Sequence, residues 1–246
     1  MKKGFRILKF KKDRPIFEVK DISKSFDGRP ILKKLSIKVF PGECVGVLGP
    51  NGCGKTTLFS MCIGEQNPES GKIYLNNKAI DQIPIHLRSN EGLGYLPQQR
   101  SVFNLSTYDN IFGICQLYFK DLAKQKAITE KLLDEFNLQH LRSLNASVLS
   151  GGEVRRVMLA RLMINKPKIV LLDEPLAALD PQIIQDIQKY ILKIQASGTA
   201  ILITDHNVRN LFDITDRSYV ISEGNVIAEG TSRELLKSSK AIEHYF

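Results

Sequence analysis

Eight residues, Gly49-Pro-Asn-Gly-Cys-Gly-Lys-Thr56, place glycines, a lysine and a hydroxyl in the spacing G-x-x-x-x-G-K-T. That composition suits a row of phosphates. Glycines let successive backbone N–H groups turn inward without a Cβ clash. The apolar run Cys44–Leu48 ahead of the loop reads as a strand, and a helix is expected to start near Lys55, its positive end adding to the anion site. In this arrangement Lys55 reaches the β- and γ-phosphates and the Thr56 hydroxyl ligates Mg²⁺. A chance glycine turn of this pattern arises in roughly one chain per hundred of this size, and the strand–loop–helix context lowers that further.

Further along, Ile169-Val-Leu-Leu-Asp173-Glu174 is an aliphatic run ending in two carboxylates. It has no alternation, so it reads as a strand buried on both faces. Both acids then emerge at the carboxyl edge of a sheet, where open α/β folds bind ligands. Asp173 would hold Mg²⁺ through its water shell and Glu174 would polarise an attacking water. Between the two motifs, Leu149-Ser-Gly-Gly-Glu153 carries the S-x-x-E capping box. Ser150 therefore starts a helix through Arg155, Arg156 and Ala160, and its glycine-bearing first turn presents a second anion site.

These groups need a scaffold. Strand-like runs occur at Phe17–Val19, Leu35–Val39, Cys44–Leu48, Lys72–Leu75, Ile169–Leu172 and Ala200–Thr204, with a hairpin at Ser218–Ser222 and Asn225–Glu229. Helical spacing marks Ile183, Ile184, Ile187, Tyr190, Ile191 and Ile194, and again Leu122, Ile128, Leu132, Leu133 and Phe136. Strands dominate before about residue 97 and helices over 107–165, which predicts an α/β core with a helical insertion.

Composition bounds the rest. At 246 residues with 43% hydrophobic and 25% charged, the chain can bury a core and is neither disordered nor collagen-like. No aliphatic run approaches the ~20 apolar residues of a membrane helix, and the N-terminus lacks the pattern of a secretory signal. Four scattered cysteines without CxxC spacing point to a reducing compartment and away from zinc. The net charge is +9, but residues 1–15 hold seven Lys/Arg and one Asp. That segment reads either as a solvated terminus or as a contact for anionic lipid. With the charge so placed, the basic balance is weak support for nucleic acid, and no nucleic-acid partner is expected.

Taken with Gln98, Ala178-Leu-Asp180 and His206, the phosphate loop, LSGGE and LLDEP resemble the ABC ATPase superfamily in order and spacing over roughly residues 17–230. The resemblance implies a P-loop NTPase with a RecA-like core, an N-terminal antiparallel β subdomain and an inserted helical subdomain at approximately 100–165. On that division, 1–15 is an extension and 16–246 the ATPase domain. ATP and Mg²⁺ are the implied cofactors. The nucleotide would contact Gly49, Pro50, Asn51, Gly52, Cys53, Gly54, Lys55, Thr56 and Thr57. Phe26 resembles the aromatic that stacks on adenine, its alternative being a core phenylalanine. Thr56, Gln98 and Asp173 would serve the metal. Lys55, Gln98, Glu174 and His206 would serve hydrolysis.

In this superfamily LSGGE caps the nucleotide held by the opposite subunit. Ser150, Gly151, Gly152 and Glu153, with Asp180, would therefore act across a head-to-tail homodimer. Cys53 reads as a tolerated small residue or, at a helix N-terminus that favours thiolate, as a redox site.

Within the superfamily the chain resembles the lipopolysaccharide-export ATPases, the LptB family, through Gly94-Tyr-Leu-Pro-Gln98, Val102-Phe103, Tyr108-Asp-Asn110, Thr204-Asp-His-Asn-Val-Arg209 and Ile221–Gly230. This implies a peripheral protein on the cytoplasmic face of the inner membrane. LptF/LptG-like integral subunits would dock near Phe103. ATPases of branched-chain amino-acid importers share the layout but vary in the TDHNVR run, and a soluble nucleic-acid or ribosome-associated ABC protein is the more distant alternative. The chain departs from the family at Asn104, Val154 and Met158, where arginine, arginine and glutamate are usual. It also reads Leu176-Ala-Ala-Leu-Asp180 in place of FAGVD.

Overall fold

β1 (Phe17–Phe26) and β2 (Arg29–Val39) form a hairpin closed by Asp27-Gly28. Both turn residues have positive φ, at 49° and 75°, the conformation that matches strand twist in a two-residue hairpin. The sequence pattern marks only the two ends of this hairpin. Its middle carries register shifts and positive φ at Asp21 and Lys34, and such bulges break the alternation that would reveal a strand.

The computed structural model describes residues 14–238. The lipid contact suggested for residues 1–15 therefore lies almost wholly outside the described residues. After the hairpin come β3 (Cys44–Leu48), α1 (Lys55–Ile63), β4 (Ser70–Leu75), β5 (Lys78–Ala79), α2 (Ile85–Glu91) and β6 (Leu93–Leu96). Then follow α3 (Thr107–Tyr118), α4 (Leu122–Glu135), α5 (Gly151–Met163), β7 (Ile169–Asp173), α6 (Pro181–Ala196) and β8 (Ala200–Thr204). The described residues close with α7 (Val208–Phe212), β9 (Arg217–Ser222), β10 (Asn225–Gly230) and α8 (Ser232–Leu235). Among the described residues no helix is long and apolar enough to cross a membrane.

Two sheets result. The smaller, in the order β2-β1-β4-β5, is antiparallel. The larger runs β10-β9-β3-β8-β7-β6, parallel from β9 to β6 with β10 antiparallel at its margin. β3, β7 and β8 are buried at every position, as central parallel strands covered on both faces must be.

One core joins α1 to both sheets through Leu58, Phe59 and Met61. The other packs α3 to α6 on the opposite face. α6 turns Ile187, Ile191 and Ile194 inward as its spacing predicts. α4 buries Leu132 and Leu133 but leaves Leu122 exposed at its first turn. β6 and α2 are too short for periodicity to mark.

Candidate nucleotide site

The loop from β3 to α1 closes tightly for physical reasons. Gly54 caps α1 at φ 109°, and a Cβ there would lie 2.5 Å from Leu32 Cδ2. A Cβ on Gly49 would strike the Ile221 carbonyl and Cys53 Sγ. The result is a narrow cradle that side chains would fill. Lys55 is buried, and its ammonium donates to the carbonyls of Gly49 (2.6 Å) and Pro50 (3.0 Å). Asn51, Gly52 and Thr56 face outward. An inward-folded cation, exposed hydroxyl and helix N-terminus form a donor set that fits a polyphosphate with its metal.

Cys53 differs from expectation. Burial pushes its thiol up, outweighing the Lys55 charge that pulls it down. Burial thus works against the thiolate that a helix N-terminus favours.

The two carboxylates end β7 as predicted. Asp173 Oδ1 accepts from Thr204 Oγ1 at 2.7 Å, and the Thr204 hydroxyl and carbonyl oxygens both accept from the Glu174 N–H at 3.1 Å. Thr204, the last residue of β8, thus fixes both acids. Glu174 has φ 48°, a conformation that persists only where surroundings enforce it. Its Oε1 lies 2.6 Å from His206 Nε2, and its Oε2 accepts from Gln98 Nε2 at 2.5 Å. Three residues spread over more than a hundred positions of sequence meet at one carboxylate.

Burial raises the Glu174 pKa. His206 opposes that shift, Asp173 and Asp205 add to it, and Lys55 opposes it. A Glu that must be ionised to orient water then loses function on acidification above the ordinary value near ~4.3. We therefore expect the acid limb of kcat/KM for ATP to lie above the usual carboxylate range. A pH–rate profile with its limb at the ordinary value would contradict this.

Three supports carried no sequence signal as such. Tyr95 on β6 neighbours Asp173, and burial, with the charges of Asp173 and Glu65, pushes its phenol up to about 12. Arg155 on α5 donates to the carbonyls of Pro97 (3.1 Å) and Gln98 (3.3 Å), tying the glutamine's loop to the helix after LSGGE. Asp205 accepts from the N–H groups of Leu176 and Asn207, holding the segments that follow both strands.

The remaining expected residues lie apart. Ser150 caps α5 in a reciprocal box, its N–H and hydroxyl bonding Glu153 Oε2 at 2.8 and 2.7 Å. These bonds hold the Glu153 pKa below its usual value. The box makes no hydrogen bond to the phosphate loop, and Ser150 and Gly151 face outward. Asp180 stands exposed at the start of α6 without capping it. The Phe26 ring is 42% exposed, with Lys24 Nζ 5.5 Å from its centroid, so it is no core residue. Phe103 is 47% exposed; Asn110 clamps its N–H and C=O, and the Arg161 guanidinium lies 4.5 Å from its centroid. Arg161 also lines a cleft of about 230 Å³ with Ser101, Ile114, Tyr118 and Met158.

Comparison with known proteins agrees with this geometry. The ABC transporter family model matches residues 32–177. The lipopolysaccharide export system ATP-binding protein LptB of Escherichia coli (strain K12) is 42% identical over 220 residues, covering 89% of this chain and 91% of that protein. The protein of the same name from Haemophilus influenzae is 39% identical over 233 residues, covering 94% and 96%. Among solved structures, the ADP conformation of MJ1267, an ATP-binding cassette of an ABC transporter, superposes with a TM-score of 0.82 at 29% identity, covering 94% of this chain and 98% of that one. With its phosphate loop, its paired carboxylates and these relatives, the chain belongs to the ABC transporter family as one of its ATP-binding cassettes, and it stands close to the LptB proteins.

Proposed function

We propose that this ATP-hydrolysing cassette is the motor subunit of a lipopolysaccharide exporter, acting as a head-to-tail pair beneath separate membrane subunits on the cytoplasmic face of the inner membrane. The observation that carries the cargo is the 42% identity to the Escherichia coli export protein over 89% of the chain. The domain division belongs to the same proposal: an extension at 1–15, then a cassette at 16–246 with the inserted helical subdomain at approximately 100–165, the stretch that holds α3, α4 and α5.

Hydrolysis follows from positions already described. Lys55 exchanges the carbonyls of Gly49 and Pro50 for β- and γ-phosphate oxygens, supported by the loop amides from Asn51 to Thr57. Phe26 offers its exposed ring to adenine. Thr56, Gln98 and Asp173 are the residues that would hold Mg²⁺, which when bound neutralises charge on the phosphates. Glu174 orients the water, and His206 and Gln98 hold its two oxygens in place. The outward-facing Ser150 and Gly151, with Gly152 buried behind them in the first turn, supply N–H groups and a helix N-terminus to the nucleotide of the partner subunit, with Glu153 fixing the serine. Asp180 meets the partner beside them.

Phe103, stacked by Arg161 at the cleft margin, is the anchor we assign to the membrane subunits. Affinity purification from membranes, followed by identification of the integral proteins recovered, tests the assignment. Phe103→Ala should lower that recovery by about tenfold, the loss typical of a buried aromatic anchor. Full recovery would remove Phe103 from the interface, and recovery of importer-type subunits would overturn the cargo.

A further inference from the structure

The largest fully buried side chain in the described fold is a charged one, Arg88, at 1% exposure. Its guanidinium makes four hydrogen bonds, all to backbone carbonyls. Nη1 donates to Met61 O (2.8 Å) and Cys62 O (2.7 Å), in the last turn of α1. Nε donates to Ile83 O (2.7 Å) and Nη2 to Asp81 O (3.0 Å), in the turn that leads into α2. Asp81 is also buried, and its carboxylate supplies the neighbouring counter-charge.

α1 itself has no basic residue in its last turn, so Arg88 is the cation at that end of the phosphate helix. A cation at a helix C-terminus satisfies carbonyls that otherwise lack donors and complements the negative pole. The fit is close: a Cβ on Gly64, the C-cap of α1, would lie 2.7 Å from Arg88 Nε.

The connection runs in the other direction too. Arg88 sits on α2, which leads through Gly92 directly into β6 and on to Gln98 at the Glu174 carboxylate. The next residue, Ser89, accepts from Asn165 Nδ2 at 3.1 Å and lines the cleft beside Phe103's partner Arg161. One eleven-residue segment therefore holds the phosphate helix at Arg88 and the hydrolytic carboxylate at Gln98.

We infer that Arg88 is a positioning residue for the nucleotide: its guanidinium locks the far end of α1 to α2, so that phosphate loop, Gln98 and cleft wall keep one fixed relation. This deepens the ATP-site reading and rests on it. Lysine keeps the charge but lacks the planar fork that serves carbonyls in two directions. The readout is ATP affinity, measured with a fluorescent ATP analogue at a temperature well below unfolding. Arg88→Gln should weaken binding by about tenfold and Arg88→Lys by about threefold.

Ile191→Ala serves as the control, since it truncates the other core, remote from α1, and lowers Tm by cavity formation. It should leave affinity within about twofold of wild type. Should Arg88→Gln fail to fold, Arg88→Lys carries the comparison. Wild-type affinity in a folded Arg88 variant would overturn the proposal. So would an equal loss in Ile191→Ala at matched Tm, which would assign Arg88 to general stability. Absence of binding by the wild-type chain would instead overturn the ATP site itself.

Discussion

Glu174→Gln will bind ATP at close to wild-type affinity and hydrolyse it about 10³-fold more slowly, within the range lost when a positioned general base is removed. The effect follows from the two oxygens. In the native chain each accepts from one donor, Gln98 on one side and His206 on the other. An amide offers a single acceptor oxygen and turns an NH₂ toward one of those neighbours, so the two hydrogen bonds can persist only with one reversed in direction, and no ionised oxygen remains to take a proton from water. The same substitution removes a negative charge from beside the phosphates. Binding should therefore persist, and ATP-bridged pairs of subunits should accumulate. Light scattering of the variant with and without ATP checks this. A monomer that persists under saturating ATP, or turnover at the native rate, would overturn the assignment of Glu174.

Lys55→Ala will lose ATP affinity by about 10²-fold or more. Charge-assisted hydrogen bonds each contribute roughly 1.5–3 kcal/mol, and the ammonium can make two to the phosphates, so the loss corresponds to at least two decades in Kd. The structure shows why no neighbour substitutes for it. Lys55 is buried under its own loop, with its ammonium against Gly49 O and Pro50 O. Alanine leaves these carbonyls without that donor and the cradle without its only inward-folded lysine among the described residues. Isothermal titration with ATP measures the change; native affinity in the variant would exclude Lys55 from phosphate binding.

What the sequence reveals here is mostly local chemistry. The phosphate loop, the Ser150–Glu153 box and the carboxylate-ended strand each lie within eight residues or fewer, where residue type dictates backbone geometry directly. The resemblance to ABC ATPases supplied Gln98 and His206, but no spacing could place both on opposite oxygens of Glu174. That meeting depends on β6, β7 and β8 lying side by side in register.

Thr204 and Arg155 escaped for the same reason. Each acts on residues 30 or more positions away through hydrogen bonds that composition does not encode. The middle of the β1–β2 hairpin escaped for a different one, since bulges at Asp21 and Lys34 erase the alternation that marks a strand. Arg88 is the sharpest case. A charged residue in a seven-residue helix reads as solvated surface, yet four carbonyls from two segments converge on it.

The order of the larger sheet has a consequence for how such proteins diversify. β6 stands at its margin and pairs only with β7, and the helical insertion leaves the sheet there and returns through α5. The hydrolytic strands β3, β7 and β8 sit further in, each with neighbours on both sides. The insertion is thus spliced into the one parallel strand connection whose rebuilding disturbs no interior ladder. The segment between β6 and α5 can therefore be rewritten while β3, β7 and β8 keep their neighbours and the residues they carry.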